Sequence, residues 1–210
     1  MYNNHTRGEP NMSETRIPTQ KRSIEKRNRI IEKGFELMCE KGFYNTNTNE
    51  IADYARVSTG IIYQYFNDKK DIFIEGTKIY VDKILYPMVN ILETKKVNKD
   101  NFKDVISNMI DKLLKTHNIS KNAHQELMAM EHLDDDIANI FKENELKVTD
   151  KIVSILSNNG FNSENQKEKV HIIYKLIDDY CHEVIYHQHS EINYAIMKEE
   201  VLNIVINTLK

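Results

Sequence analysis

His182, His187 and His189 lie beside Cys181 and Glu183, and three imidazoles this close in sequence raise the question of a metal centre. The spacing H-x4-H-x-H does not bring all three to one helix face, so no metal site is expected there. His117, His124 and His132 are more scattered still. Cys39 and Cys181 lie far apart without metal-ligand spacing; both read as reduced, buried thiols, with a disulfide as the alternative. The chain holds no Ser-His-Asp pattern, no Gly loop that would cradle a phosphate and no carboxylate dyad. No enzyme and no cofactor are expected. The chemistry that remains is recognition, and one stretch stands out for it. "VSTGIIYQYFNDKKDIF", residues 57–73, carries Ile61, Tyr63 and Tyr65, more large side chains than so short a helix can bury.

The chain that must position these groups has 210 residues, enough for one larger domain or two small ones with a real core. Only 6 Gly and 3 Pro occur, which favours long helices over strands and turns. The start, "MYNNHTRGEP", has no apolar core of a signal peptide. No run approaches about 18 apolar residues, so no membrane contact is expected and the protein reads as cytoplasmic. The net charge of −3 argues against a polyanionic partner, but its distribution argues for one. Residues 1–70 hold 12 Lys and Arg against 9 Asp and Glu, whereas residues 71–210 hold 17 against 23. From Arg16 to Gly34 the count is 7 basic to 2 acidic. A basic end suits a polyanion, although a solvated basic helix has the same composition.

Periodicity places the elements. Residues 1–20 are poor in apolar groups and read as a disordered basic arm. Ser23 to Lys41 sets Ile30/Ile31, Phe35 and Met38 at helical spacing, with Gly42 as C-cap. Asn47, with Glu50 three residues on, forms a capping box for a second helix whose inner face is Ile51, Ala52 and Ala55. Ser58 or Thr59 caps a third helix to about Phe66, and Asp68 caps a fourth. Pro87 should kink or end that fourth helix. Further helical segments follow at about 101–117, 121–133, 135–158, 165–189 and 191–209. The fold class is all-α, about nine helices.

Three short helices with a tight turn between the second and third describe a helix-turn-helix. At ~100° per residue from Thr59, Ile62, Phe66 and Tyr63 share an inward face, and Gly60, Ile61, Gln64 and Tyr65 lie opposite. That outer face has no charge. A face that enters the major groove can set Ile61 against a thymine methyl and Gln64 against a base edge, with Gly60 allowing close approach.

"RNRIIEKGFELMCEKGFYNTNTNEIADYARVSTGIIYQYFNDKKDIF", from Arg27 to Phe73, resembles the DNA-binding domain of tetracycline-repressor-like (TetR/AcrR) transcriptional regulators. The matching elements are Gly42-Phe43, Glu50-Ile51-Ala52, Val57-Ser58, Gly60, Tyr63-x-Tyr65-Phe66 and Lys69. The resemblance implies that Tyr63 and Lys69 bind phosphates, that Asn47 and its helix N-terminus meet the DNA backbone, and that Thr59, Gly60, Ile61, Gln64 and Tyr65 face the groove. Three positions depart from the pattern. Arg56 stands where Gly is usual, which costs ~1 kcal/mol if the turn is left-handed and adds a phosphate contact. Ile61 replaces a common Thr, shifting readout toward apolar contact. Gly34 replaces a helix-favouring Ala, at ~1 kcal/mol.

The resemblance also implies a variable helical domain that binds a small-molecule effector and forms a homodimer. The expected division is therefore 1–20 arm, 21–70 helix-turn-helix domain and 71–210 effector-binding and dimerisation domain. Stripes through Val170, Ile173, Ile177, Tyr180/Cys181 and Val184, and through Ile192, Ile196, Leu202, Val205/Ile206 and Leu209, suit a four-helix interface between two copies, or packing inside one. Met88, Met109, Met128 and Met130 with Tyr86, Phe102, Phe141 and Tyr174 suit an adaptable cavity, or plain core. Glu126, Glu131, Asp178 and Asp179 sit among apolar residues, where a buried carboxylate would select a cationic ligand. The expected function is a repressor released from a palindromic operator by a small molecule. The alternatives are an all-helical interaction module and an effector-independent regulator.

Overall fold

The structure, a computed structural model, describes residues 18–117 and 121–209, with the backbone alone over residues 85–88. Among these residues there are nine helices and no strand: α1 Lys21–Lys41, α2 Thr48–Tyr54, α3 Thr59–Tyr63, α4 Lys69–Thr94, α5 Phe102–His117, α6 Lys121–Leu133, α7 Asp135–Asn158, α8 Gln166–Tyr186 and α9 Tyr194–Leu209. The arm read over residues 1–20 lies outside the described residues, apart from its last three.

The local signals act where their chemistry requires. Asn47 accepts hydrogen bonds from the backbone of Asn49 and Glu50, and Glu50 accepts from the Asn47 backbone, so the capping box is complete. Asp68 accepts from the N–H groups of Lys70 and Asp71 at the start of α4. Gly42 ends α1 at φ 91°, a conformation that disfavours any side chain. Ser58 stands at the N-cap of α3 but makes no side-chain capping bond.

α1, α2, α3 and the start of α4 enclose Ile30, Met38, Ile51, Ile62, Phe66, Ile72 and Phe73, all buried. Gly34 is central to that packing. A Cβ there would lie 2.7 Å from Ile72 Cγ2 and 3.0 Å from Ile51 Cγ2, so the lost helix propensity is exchanged for close approach of three helices. α4 continues from this helix-turn-helix into the larger helical part, packing on α1, α5 and α7. It runs unbroken through Pro87 to Thr94, so the expectation that the helix ends there is corrected. Proline removes one N–H bond, and the buried Val81, Ile84, Val89 and Leu92 anchor the helix on both sides of it.

Candidate nucleic-acid interface and effector cavity

The turn between α2 and α3 is built by backbone bonds from Ala55 N–H to Ile51 O and from Val57 N–H to Ala52 O, each 2.9 Å. Arg56 lies between them at φ 54°, the left-handed conformation that an L side chain occupies at a cost. From α1, Arg29 Nε donates to Ala55 O at 3.0 Å, and Thr59 Oγ1 donates to Asn49 Oδ1 at 2.9 Å. The entry to α3 is thereby tied to both preceding helices.

α3 presents Gly60, Tyr63 and Gln64 to solvent, and nothing lies within 4 Å of a Cβ at Gly60. Tyr63 is 51% exposed, which corrects the inward position given by the helical wheel. The other two residues of the expected inward face, Ile62 and Phe66, are buried as the wheel places them, so only Tyr63, at the edge of that face, turns outward. Ile61 and Tyr65 are half-buried and pack partly on the core, so they are less free than expected. Thr59 is half-buried as well.

Lys69 is placed differently from a simple phosphate ligand. Its Nζ donates to the carbonyls of Phe43 and Thr46, both at 2.7 Å, and sits 4.6 Å from the centre of the Phe43 ring. Two of its three donors hold the α1–α2 turn. The Asn47 oxygen is likewise engaged by its own helix. Much of the basic charge of α1 is also committed: Arg27 pairs with Glu75 and stacks over Phe66, Arg29 holds Ala55, and Lys33 pairs with Glu36. Lys21 and Arg22 stay exposed in the first turn.

A cavity of about 520 Å³ opens between α4, α5, α6, α7 and α8. Val81, Ile84, Leu127 and Phe141 form apolar wall, and His117, His124, Asp178 and His182 form a polar floor. Tyr174 and Met128 also line it. The Tyr80 hydroxyl is buried at this cavity with no hydrogen-bond partner among the described residues, and burial raises its pKa. A hydroxyl placed there can donate to an acceptor that enters the cavity.

Several residues read as cavity lining lie elsewhere. Phe102 and Met109 are buried in the core between α5, α8 and α9, around a second, much smaller apolar void. Met130 is core. The side chains of Tyr86 and Met88 fall outside the described residues. Glu126 points away, and its Oε1 accepts from the Phe43 N–H at 2.6 Å. Phe141, Tyr174 and Asp178 do line the cavity. Three of the five residues read as dimer interface are covered within the chain. Ile173, Ile177 and Leu202 are buried within the single chain, and Val184 and Ile206 are half-buried. The helical stripes are wide, and their central residues pack against α5; Ile172 on α8, at 64%, and Ile196 and Ile204 on α9, at 61% and 47%, are exposed.

The fold gathers histidines that sequence spacing left apart. His117 Nε2 lies 3.2 Å from Asp178 Oδ1, and His182 Nδ1 lies 4.0 Å from Asp178 Oδ2. The His124 ring stacks on Tyr186 at 4.1 Å between centres and stands 4.5 Å from His182. Burial, then the neighbouring His182, pushes His124 down to about 4, so it is neutral at neutral pH. Burial lowers His182 as well. Burial opposes the charged form of Asp178, but His117 and His182 outweigh it and hold the carboxyl below its usual range. The ligand atoms of His117, Asp178 and His182 all lie within 4.8 Å of one another, a set able to hold a metal ion. The sequence signal is Asp178-x3-His182, one face of one helix, a spacing that the H-x4-H-x-H pattern does not include.

Residues 30–75 match the family model of bacterial regulatory proteins of the tetR family. Over 58 residues the chain is 47% identical to the HTH-type transcriptional regulator HbdR of Aromatoleum sp. (strain CIB), covering 28% of this chain and 25% of that one. It is 31% identical over 98 residues to the fatty acid metabolism regulator protein of Bacillus subtilis, covering 47% of this chain and 50% of that one. The chain thus spans between a quarter and a half of these relatives. The fold extends further: a tetR-family transcriptional regulator from Mesorhizobium loti superimposes with a TM-score of 0.72 at 16% identity, over 90% of this chain and 98% of that one. No helix among the described residues is long and apolar enough to cross a membrane.

Proposed function

We propose that this chain, which belongs to the tetR family of bacterial regulatory proteins through residues 30–75, is a repressor that a small molecule releases from a palindromic operator. The observation that carries DNA binding is the uncharged, solvent-facing surface of α3, held by the α2–α3 turn. Gly60, Ile61 and Gln64 face the major groove, with Thr59 and Tyr65 at its margins. Tyr63 and Arg56 contact phosphates, and so does the N-terminus of α2 at Asn47. Lys69 acts on the DNA by holding the α1–α2 turn, with one donor left for a phosphate.

The effector binds in the α4–α8 cavity, whose volume falls within the range of about 300–1,000 Å³ usual for small-molecule sites. The orphaned Tyr80 hydroxyl supports this reading, because a ligand acceptor would satisfy it. The apolar wall favours a ligand with an apolar or aromatic body. A preference for a cationic ligand loses its support, since Glu126 is bonded to Phe43 and Asp178 to His117. Two copies pair through the outer faces of α8 and α9, around Ile172, Ile196 and Ile204. A ligand that favours one spacing of the two α3 helices shifts the population and weakens operator binding. The division at about residue 70 remains part of this reading, with residues 71–210 as the effector and dimerisation part.

Selection of bound duplexes from a random pool, followed by titration of the selected sequence, tests the proposal. The expected result is a pseudo-palindrome bound with a steep decline in log K against log salt. Gln64→Ala should relax preference at one base position per half-site, by about 1–3 kcal/mol. Equal binding to every sequence by wild-type protein would reject it.

A further inference from the structure

The polar floor of the cavity poses a specific problem of protons. His117 Nδ1 lies 3.0 Å from Leu113 O, a carbonyl that can only accept, so Nδ1 carries the ring proton. Nε2 then faces Asp178 Oδ1 at 3.2 Å, where a doubly protonated ring donates a hydrogen bond and a neutral ring offers only its lone pair. Two acceptors that close must share a cation. A second proton on the imidazole is one solution, and a metal ion is the other.

The surroundings favour the metal. Orientation of a ring by an Nδ1–H bond to a backbone carbonyl is the usual outer-shell support of a metal-ligating histidine. An ion about 2.0–2.1 Å from both His117 Nε2 and Asp178 Oδ1, themselves 3.2 Å apart, subtends an angle of about 103°, near tetrahedral. His182 stands one turn beyond Asp178 on the same face of α8, its Nδ1 4.0 Å from Asp178 Oδ2, and the ligand atoms of all three residues lie within 4.8 Å of one another, so a small side-chain adjustment would bring His182 onto an ion there. Two imidazoles and one carboxylate suit zinc-class divalent ions rather than calcium or magnesium. Three protein ligands leave a fourth position, and these three residues line the cavity.

We propose that His117, Asp178 and His182 hold one divalent transition-metal ion of the zinc class on the cavity floor, with the fourth position open to an effector that brings an oxygen or sulfur donor. The proposal deepens the reading of this cavity as the effector site. Metal binding is nevertheless measured without DNA, so the two can fail separately.

The test uses the full chain, stripped with chelator, desalted and titrated with Co2+. The expected result is one ion per chain, with the visible bands of a four- or five-coordinate site, displaced by Zn2+. Asp178→Asn and His182→Gln should each weaken binding at least 100-fold, with circular dichroism unchanged. His189→Gln, at an exposed histidine away from the cavity floor, should bind as wild type. No saturable binding, or undiminished binding by both floor variants, overturns the proposal. If the variants misfold, zinc-edge absorption of wild-type protein decides. A shell of imidazole nitrogens and oxygen at about 2.0–2.1 Å supports the site, and a sulfur-containing or all-oxygen shell overturns it. Operator binding is measured in parallel. Protein that binds DNA but takes no metal refutes the metal site alone, and protein that takes metal but binds no duplex refutes the regulator alone.

Discussion

Replacing Glu126 by alanine tests whether the cavity and the DNA-binding helices are joined through α6. This helix turns His124, Leu127, Met128 and Glu131 to the cavity. From its other side Glu126 accepts the Phe43 N–H at 2.6 Å. The carbonyl of that residue is held by Lys69, so the α1–α2 turn is gripped from both sides. A hydrogen bond to a charged acceptor contributes about 1.5–3 kcal/mol. The other link nearby, Lys70 to Asp134 and Asp136, is a partly exposed ion pair that adds about 1 kcal/mol. Glu126 therefore carries most of the contact, on the scale of a typical allosteric coupling of about 1–3 kcal/mol. Removal should speed hydrogen exchange of the Phe43 amide by about 10- to 100-fold, at ~1.4 kcal/mol per decade. Glu126→Gln keeps an acceptor without its charge and should fall between the two. Exchange is read residue by residue by NMR, alongside urea unfolding. A Phe43 amide that exchanges in the alanine variant within twofold of wild type would refute the link.

Arg56→Gly should stabilise the fold by up to about 1 kcal/mol in urea unfolding, because glycine occupies φ 54° without strain. The same variant should flatten the salt dependence of operator binding by about one unit if Arg56 meets a phosphate. Gly76→Ala should destabilise by about 1–3 kcal/mol despite its better helix propensity, since the new Cβ would overlap the Phe35 side chain; thermal unfolding measures it. Ile172→Glu with Ile196→Glu should give folded monomers by light scattering, whereas Ile177→Glu should unfold the chain, since Ile177 is buried within it.

The sequence alone determined the features that depend on near neighbours. The capping box at Asn47 and Glu50, the Asp68 cap and the glycine end of α1 each involve residues within a turn of one another, so their spacing spells their geometry. The left-handed turn at Arg56 was legible as a departure from the pattern of a resembling family. The tertiary structure decided what depends on partners far along the chain. Lys69 looked like a free cation because its carbonyl partners lie 23 and 26 residues away. Glu126 looked like pocket lining because Phe43 lies 83 residues away. Periodicity marks the apolar side of a helix, but not whether α5 or a second copy covers it, so the stripe through Ile173 and Ile177 suits either contact until the helices pack. His117 and Asp178 are separated by 61 residues, and only the packing of α5 on α8 brings an imidazole against a carboxylate. Short-range order is written in adjacent residues, whereas a site assembled from several helices exists only after their faces have packed.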